Sequence, residues 1–398
     1  MYCPRTWKST TIATCQLLAV FLTSASAATQ PQPIATLSIT NAKANEYLGL
    51  CTATDGQRVF LGTGIGTAYL FDPFTRQQLA KVTLPNQSWY TSVAIQGKTG
   101  VFGGQNVAVA YDFTNLPAIT SKSLIPTTGP LSTFIGAVDI SGESIIVGAN
   151  HDSGLGEYAG AAYLFDRVTG VQYAKLTGND TKARDFFGVS VAIDGNLAVV
   201  GSSKMDRSNS AVYLFNAQPG FIGQRQIAEF TVSPPNPNPG QDFGSEVDIS
   251  GDRIFAIEQS GQAFLWTTSG QPAPLPYSQG FHFEPGHSTT AIDTQFVAVG
   301  VPNIGYVNFY DANRNFIRSL YGPANGPIGF GASVAIGGDL LVVSAPGGDP
   351  AKSVVYVYRL SDVVVPEPST VSIVAMGYLL FGSNYRHLRS KRVAGFTK

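Results

Sequence analysis

Polar and aromatic side chains suited to binding or cleaving a ligand are concentrated in three segments of the sequence: 150–160, 202–210 and 349–352. The candidate ligand-binding residues in them are His151, Asp152, Glu157, Tyr158, Lys204, Asp206, Arg207, Asp349 and Lys352. Glycoside hydrolysis requires two facing carboxylates. Asp206 paired with Asp152 or Glu157 would supply them, whereas loops that do not bring such a pair together can only bind.

Other catalytic and metal-binding patterns are absent from the sequence. No P-loop, nucleophile elbow or dinucleotide fingerprint occurs in a strand-then-helix setting. His282 and His287 form a spaced histidine pair, but Pro285 and Gly286 make the segment between them a turn, and cysteine partners are lacking. We therefore expect no metal, no cofactor and no enzymatic activity.

The composition limits the partners of the chain. Only 13% of its 398 residues are charged, and the formal net charge is −1. Nucleic-acid binding requires a surplus of positive charge, so we expect no nucleic-acid partner. The 43 glycines, together with abundant Val, Ile, Tyr and Phe, are typical of short strands joined by tight turns.

One sequence element recurs at intervals of about 40 to 56 residues, which is the range of propeller blades. It reads Val-Ala-Ile, or a close variant, followed by a Gly turn. Clear copies lie at 93–97, 138–142, 191–195, 247–251 and 334–338, and degenerate copies lie at 52–56 and 290–293. Each copy is followed by an apolar segment, then by an aromatic one such as 162–166, then by a more polar one such as 174–177.

Each repeat therefore predicts a four-stranded antiparallel sheet, and seven of them predict an all-β propeller over residues 35–361. In the fifth repeat the fourth segment holds Pro272, Pro274 and Pro276, which fits an outer edge strand. The seventh repeat lacks a fourth segment, and an unpartnered one stands at 35–39. We predict that this N-terminal strand completes the last blade and closes the ring.

The repeats resemble a known family. Residues 187–201, and residues 330–336 with 342–346, look like FG-GAP repeats, which build the propeller of integrin α-subunits and of many bacterial surface proteins. The resemblance extends over most of residues 35–360. The calcium-binding version of the repeat has an acidic loop between its first two strands. Here tight turns such as 141–143, 194–196 and 250–252 stand in its place, and one or two carboxylates cannot complete a calcium shell.

Both ends of the chain have the pattern of export and sorting segments. Residues 1–27 read as a signal peptide with a small-residue cleavage site at 25–27, followed by a linker at 28–34. The C-terminus has a linker (362–370), a short hydrophobic segment (371–385) and a basic tail (386–398). The residues that define this second pattern are Val365, Pro366, Glu367, Pro368, Arg386, Arg389, Lys391 and Arg392.

This C-terminal pattern resembles the PEP-CTERM sorting signal of exopolysaccharide-producing bacteria. The resemblance implies transient membrane insertion with the basic tail in the cytoplasm, cleavage by an exosortase-type enzyme, and delivery to the cell envelope, the outer surface or the extracellular matrix. The alternative is an ordinary single-pass tail anchor, although the hydrophobic segment is short for one.

Alternation of antiparallel strands places the strand 2–3 loops and the strand 4–1 connections of every blade on one face, and these are the long segments. Loops on a rigid scaffold are common binding sites, so we expect the ligand there. We expect a binding or structural module for a polysaccharide or a surface protein. The alternatives are a glycan-cleaving hydrolase or lyase on a propeller scaffold, and integrin-like adhesion between cells.

Overall fold

The structure is a computed structural model that describes residues 30–85, 91–127, 137–203, 210–232, 243–258, 262–276 and 290–364. Residues Gln32–Val365 form one compact unit. The described part of this unit is almost entirely β-strand, with one turn of 3₁₀ helix (Pro350–Lys352) and one short helix, α1 (Leu360–Val363). Among the described residues, no helix has the length and apolar character needed to cross a membrane.

The described strands form seven antiparallel sheets, called blades 1 to 7 in chain order. The strands are β1 (Ala35–Leu37); in blade 1, β2 (Cys51–Thr54), β3 (Val59–Gly62), β4 (Thr67–Phe71) and β5 (Gln78–Thr83); in blade 2, β6 (Thr91–Gln96), β7 (Thr99–Gly104), β8 (Val107–Asn115) and β9 (Ala118–Ser123); in blade 3, β10 (Val138–Ser141), β11 (Ser144–Ala149), β12 (Ala161–Asp166) and β13 (Gln172–Leu176). The remaining strands are, in blade 4, β14 (Phe187–Asp194), β15 (Leu197–Ser202), β16 (Ala211–Asn216) and β17 (Gln226–Phe230); in blade 5, β18 (Glu246–Ser250), β19 (Arg253–Ile257) and β20 (Ala263–Thr267); in blade 6, β21 (Thr290–Ile292), β22 (Phe296–Val301), β23 (Tyr306–Asp311) and β24 (Phe316–Tyr321); in blade 7, β25 (Val334–Gly337), β26 (Leu340–Ala345) and β27 (Val354–Arg359).

The blades form a closed ring, as predicted. The first strand of each blade contacts the first strand of the next, and β25 of blade 7 contacts β2 of blade 1. β1 pairs antiparallel with β27, with Thr36 opposite Tyr356, and so becomes the fourth strand of blade 7. Ala35 and Leu37 are each only 1% exposed and pack between blades 7 and 1. The N-terminal strand therefore removes the free edge of the last blade.

Burial follows the position of a strand within its blade. The second and third strands are almost fully buried because neighbouring blades cover both of their faces, whereas fourth strands such as β5 and β24 alternate between buried and exposed positions. In blade 5 the fourth position is held by a proline-rich segment. There the N–H of Leu265 donates to the carbonyl of Ala273, and the N–H of Leu275 donates to that of Ala263. Ala273 and Leu275, which lie between the prolines, therefore make the inter-strand hydrogen bonds.

The Phe-Gly signature of the repeat has a clear packing role. Phe187, at the start of β14, is fully buried, and Gly188 follows with a φ of +88°. A Cβ on Gly188 would lie 2.3 Å from the carbonyl oxygen of Ala161, and one on Gly148 would lie 2.2 Å from that of Gly188. Only glycine fits this backbone contact between blades, so the signature fixes blade 4 against blade 3.

Acidic side chains also join the inner strands around the axis. Asp139 on β10 accepts a 2.8 Å hydrogen bond from the N–H of Ile193 in the next blade, and Asp248 on β18 accepts one of 3.0 Å from Ile292. Asp194 accepts from the N–H of Gly251 at 2.7 Å. These axial carboxylates thus satisfy backbone donors at the edge of the following inner strand, which no ladder partner reaches.

Candidate ligand-binding site on the loop face

The loop face is the side of the propeller that carries the strand 2–3 loops and the strand 4–1 connections; the opposite side is the turn face. The longest described 2–3 loop, residues 150–160 of blade 3, lies against the connection that leads into blade 4. The N–H of Arg184 donates to the carbonyl of Glu157 at 2.8 Å, and the N–H of Phe186 donates to that of Tyr158 at 3.0 Å. The two segments are therefore held together by their backbones.

An aromatic cluster forms where these segments meet. His151, Tyr158 and Phe186 are in mutual contact, with ring centroids 5.0, 5.6 and 5.8 Å apart. The rings of Tyr158 and Phe186 are nearly parallel, at 8°. Tyr158 is 38% exposed and the other two are half-buried, so the cluster, called the aromatic platform below, presents ring surface to solvent.

The backbone of the platform is strained. Tyr158 has a φ of +55° and Phe186 a φ of +48°, in the left-handed region that bulky side chains avoid. Such a conformation costs on the order of 1–3 kcal/mol and persists only where the surroundings enforce it. Here the hydrogen bonds between the two segments enforce it. The strained backbone thus holds the two aromatic rings in contact at the surface.

Asp152, which follows His151 in the same loop, holds the loop in place. Its side chain is 2% exposed and receives hydrogen bonds from the hydroxyl of Tyr163 and from the N–H of Gly154. Lys175 lies 3.0 Å away and forms an ion pair with it. The carboxylate is therefore fully engaged in positioning the 150–160 loop, and burial together with Asp152 raises the pKa of the Tyr163 hydroxyl.

The same arrangement recurs in blade 1. Glu46, in the connection that precedes β2, accepts from the hydroxyl of Tyr69 at 2.6 Å and from Lys81 at 3.2 Å. Burial alone would raise the pKa of Glu46, but hydrogen bonds from Tyr69, the N–H of Lys43, Lys81 and Thr67 together lower it. A tyrosine–lysine pair around a buried carboxylate is thus a device for fixing a loop, used twice on this face.

The polar groups around the platform carry no net charge. Glu157 and Arg184 form an exposed ion pair of 3.1 Å beside the rings. Burial lowers the pKa of His151 below its ordinary value of 6.5, so its imidazole is neutral at pH 7. The platform therefore presents neutral aromatic rings with a balanced ion pair at its rim.

The structure brings together only some of the predicted site residues. His151, Asp152, Glu157 and Tyr158 share one loop. Asp349 and Lys352 lie in the 2–3 loop of blade 7, where Asp349 accepts from the N–H of Ala351 and pairs with Lys352 at 3.7 Å. Outside the described residues lie Lys204, Asp206 and Arg207, and also the sorting-signal residues Val365, Pro366, Glu367, Pro368, Arg386, Arg389, Lys391 and Arg392.

Phe186 is the member of the platform that the sequence analysis missed. It stands directly before the Phe-Gly signature, where the repeat gives no reason for a second aromatic residue. Tyr47 stands at the corresponding place before Leu48 and Gly49. An aromatic residue at this position is therefore the signal that could have identified it.

Acidic groups at the axis form a second cluster, of different character. Burial raises the pKa of Asp139 to about 7, with the charge of Asp194 acting in the same direction. Burial, the charge of Asp139 and that of Glu246 raise the pKa of Asp248 well above its ordinary value. Within the described part of the chain, no group of three or more His, Cys, Asp or Glu side chains is arranged to hold a metal ion.

Comparison with known proteins supports the fold. Residues 171–215, from the end of blade 3 into blade 4, match the FG-GAP repeat family. The sequence matches no curated protein. The structure is similar to Chaetomium thermophilum Raptor, with a TM-score of 0.58 and 13% identity over 88% of this chain and 31% of Raptor. The chain thus spans about a third of the length of Raptor.

Two further structures share the architecture. Kuenenia stuttgartiensis hydrazine synthase has a TM-score of 0.56 and 14% identity, over 80% of this chain and 97% of that one. The computationally designed protein Ika8 has a TM-score of 0.50 and 14% identity, over 82% and 99%. At these identities the likeness concerns the fold alone, so the comparisons establish a β-propeller with an FG-GAP repeat match over residues 171–215.

Proposed function

We propose that this FG-GAP β-propeller is an exported binding module that holds a polysaccharide at the cell surface or in the extracellular matrix. The aromatic platform of His151, Tyr158 and Phe186 is the observation that carries the proposal. Pyranose rings have apolar C–H faces that pack on aromatic rings, and their hydroxyl groups bond to polar groups at the rim. Rings held at the surface at the cost of backbone strain suit such a ligand.

Export and sorting are the second part of the proposal. They are supported by the signal-peptide pattern of residues 1–27 and by the C-terminal resemblance of residues 362–398 to a PEP-CTERM signal. An exosortase-type enzyme would cleave the chain near Pro366. The test is mass spectrometry of the protein recovered from the surface of an exosortase-containing host. We expect a new N-terminus after Ala27 and a C-terminus near Pro366, and intact ends would contradict the sorting proposal.

The binding test is a pull-down with the protein expressed from the full-length sequence in such a host. The probes are dextran and hydroxyethyl cellulose, which are neutral, and polygalacturonate, which is acidic. We expect retention of at least one neutral polysaccharide and no release of sugar. Failure to retain either neutral probe, or equal retention of polygalacturonate, would contradict the proposed ligand class.

Sugar release would instead favour the alternative of a glycan-cleaving enzyme. That alternative requires two facing carboxylates. Of the acids suggested by the sequence, Asp152 is buried against Tyr163 and Lys175, and Glu157 is paired with Arg184. Because these acids are already engaged by the protein, we favour binding without cleavage.

A further inference from the structure

A second exposed aromatic pair lies on the loop face, in blade 6. Tyr306 begins β23 and Tyr321 ends β24, and the two stand opposite each other across the strands. Their ring centroids are 5.6 Å apart, and Tyr321 is 53% exposed. Since third strands begin and fourth strands end on the loop face, this pair opens to the same side as the aromatic platform.

The other blades show that this position does not need large side chains. Blade 1 has Thr67 opposite Thr83 at the corresponding place. The third strands of blades 3 and 4 begin with Ala161 and Ala211, each opposite the last residue of the second strand, as Tyr306 is opposite Val301. Blade 6 therefore departs from its own repeat by carrying two tyrosines where small residues suffice for folding.

The charges of the loop face indicate which ligand these rings suit. At two of the described loops an exposed acidic side chain is paired with a cation of the same protein: Glu157 with Arg184 at 3.1 Å, and Asp349 with Lys352 at 3.7 Å. An acidic polysaccharide or a phosphate group would require cations that are not already paired. A neutral sugar chain has no such requirement, and tyrosine offers it both a ring face and a hydroxyl group.

We propose that Tyr306 and Tyr321 form a second subsite for the same neutral polysaccharide chain that contacts the aromatic platform. The inference rests on the proposed function of the platform. The platform lies at the junction of blades 3 and 4, and the tyrosine pair lies on blade 6, so a short oligosaccharide reaches one of them whereas a long chain spans both. Two weak contacts joined in one ligand raise its affinity by about 10²-fold or more.

The experiment is calorimetric titration of the protein, expressed from the full-length sequence, with matched short and long probes. The pairs are isomaltotriose with dextran, and cellotriose with hydroxyethyl cellulose. The variant Tyr306→Thr/Tyr321→Thr installs the threonine pair that blade 1 carries at this place. The control is Phe316→Thr, which removes a 40% exposed aromatic residue from the opposite end of the same strand, β24.

We expect the double variant to bind the long chain at least about tenfold more weakly, to bind the trisaccharide at the aromatic platform with unchanged affinity, and to unfold in one cooperative transition as the unmodified protein does. The Phe316→Thr control should bind both as before. Equal long-chain affinity of the double variant and the unmodified protein would overturn the second subsite and leave the platform in place. Absence of binding to every neutral probe would overturn the proposed function, and the second subsite with it.

Discussion

The two faces of the propeller differ in how closely their residues follow the repeat. On the turn face, the hairpins that join first and second strands are nearly the same in blades 2, 3, 4, 5 and 7, where a two-residue turn begins with a glycine such as Gly142, Gly195 or Gly251 with φ near +60°. On the loop face, each blade has its own loops, and two blades carry aromatic residues that the repeat does not require. In a protein built from repeats, residues shared by the blades maintain the ring. The departures from the repeat are where we propose that the ligand binds.

Buried carboxylates on the loop face and near the axis differ in the direction of their pKa shifts. Glu46 is surrounded by donors and a lysine, and its pKa is lowered despite burial. Asp139 accepts two backbone hydrogen bonds but faces other acids, and burial raises its pKa to about 7. Lys81 and the other hydrogen-bond donors favour the ionised form of Glu46, whereas burial favours the protonated form of Asp139, so the stability of the two regions changes in opposite directions with pH.

The largest expected effect comes from breaking the ring itself. Deletion of residues 28–40 removes β1 and exposes the edge of β27. Since Leu37 alone is 1% exposed and a truncated core leucine costs about 2–5 kcal/mol, we expect the deletion to remove most of the folded stability. Thermal unfolding followed by circular dichroism is the measurement, and Thr36→Ala, at an exposed position of β1, is the control. An unchanged unfolding temperature in the deletion would contradict closure by this strand.

A smaller loss is expected from the carboxylate that fixes the 150–160 loop. Asp152→Ala leaves the Tyr163 hydroxyl buried without its acceptor and Lys175 without its partner, at a cost of about 3 kcal/mol. Glu157→Ala in the same loop removes an ion pair whose members are 58% and 59% exposed, and should cost less than about 1 kcal/mol. The measurement is the free energy of unfolding of both variants in denaturant. Equal losses would show that Asp152 has no special role.

The axial acids should make stability depend on pH. Because the pKa of Asp139 is raised on folding, the folded state holds an extra proton between pH 4 and pH 7, and its contribution to stability is lost as the pH rises through 7. Asp248 acts in the same direction. A tenfold change in proton affinity is worth about 1.4 kcal/mol, so we expect the free energy of unfolding to fall by at least that much from pH 5 to pH 8.

The substitution Asp139→Asn should flatten this dependence. The acids that face Asp139 are Asp194 and Asp248, which remain in the variant. The lowered pKa of His151 acts in the opposite sense below pH 6.5 and is common to both proteins. Asp72→Asn is the control, because hydrogen bonds from Thr75 and Phe74 outweigh burial and keep its pKa below this range. An equally steep profile in Asp139→Asn would contradict the axial account.

Much of the fold follows from the sequence because the repeat is local and periodic. The Val-Ala-Ile-Gly element placed the inner strands, and the missing fourth segment of the seventh repeat predicted the pairing of β1 with β27. The prolines of blade 5 are compatible with the outer edge of the blade. The hydrogen bonds to the third strand are made by Ala273 and Leu275, which lie between the prolines. The same order of segments recurs in every repeat, so a repeat with a weak motif can be assigned by comparison with the clear ones.

The site could be predicted only in part, because it depends on contacts between segments. The sequence indicated His151 and Tyr158, but the contact with Phe186 arises from two loops that pair through their backbones. The sequence also treated Asp152 as a ligand-binding group, whereas Tyr163 and Lys175 enclose it. Burial of one acid and exposure of its neighbour Glu157 are set by the surrounding blade, which no local pattern reveals.

The most direct test of the account replaces Tyr158 by glycine. Glycine adopts a φ of +55° without strain, so Tyr158→Gly should leave the free energy of unfolding within about 1 kcal/mol while removing the exposed ring. Arg314→Gly, which relieves a φ of +69° on the turn face, is the matched control. Titration with dextran and hydroxyethyl cellulose should show binding lost in Tyr158→Gly and kept in Arg314→Gly. Undiminished binding by a stable Tyr158→Gly protein would contradict the central claim that the aromatic platform holds the ligand.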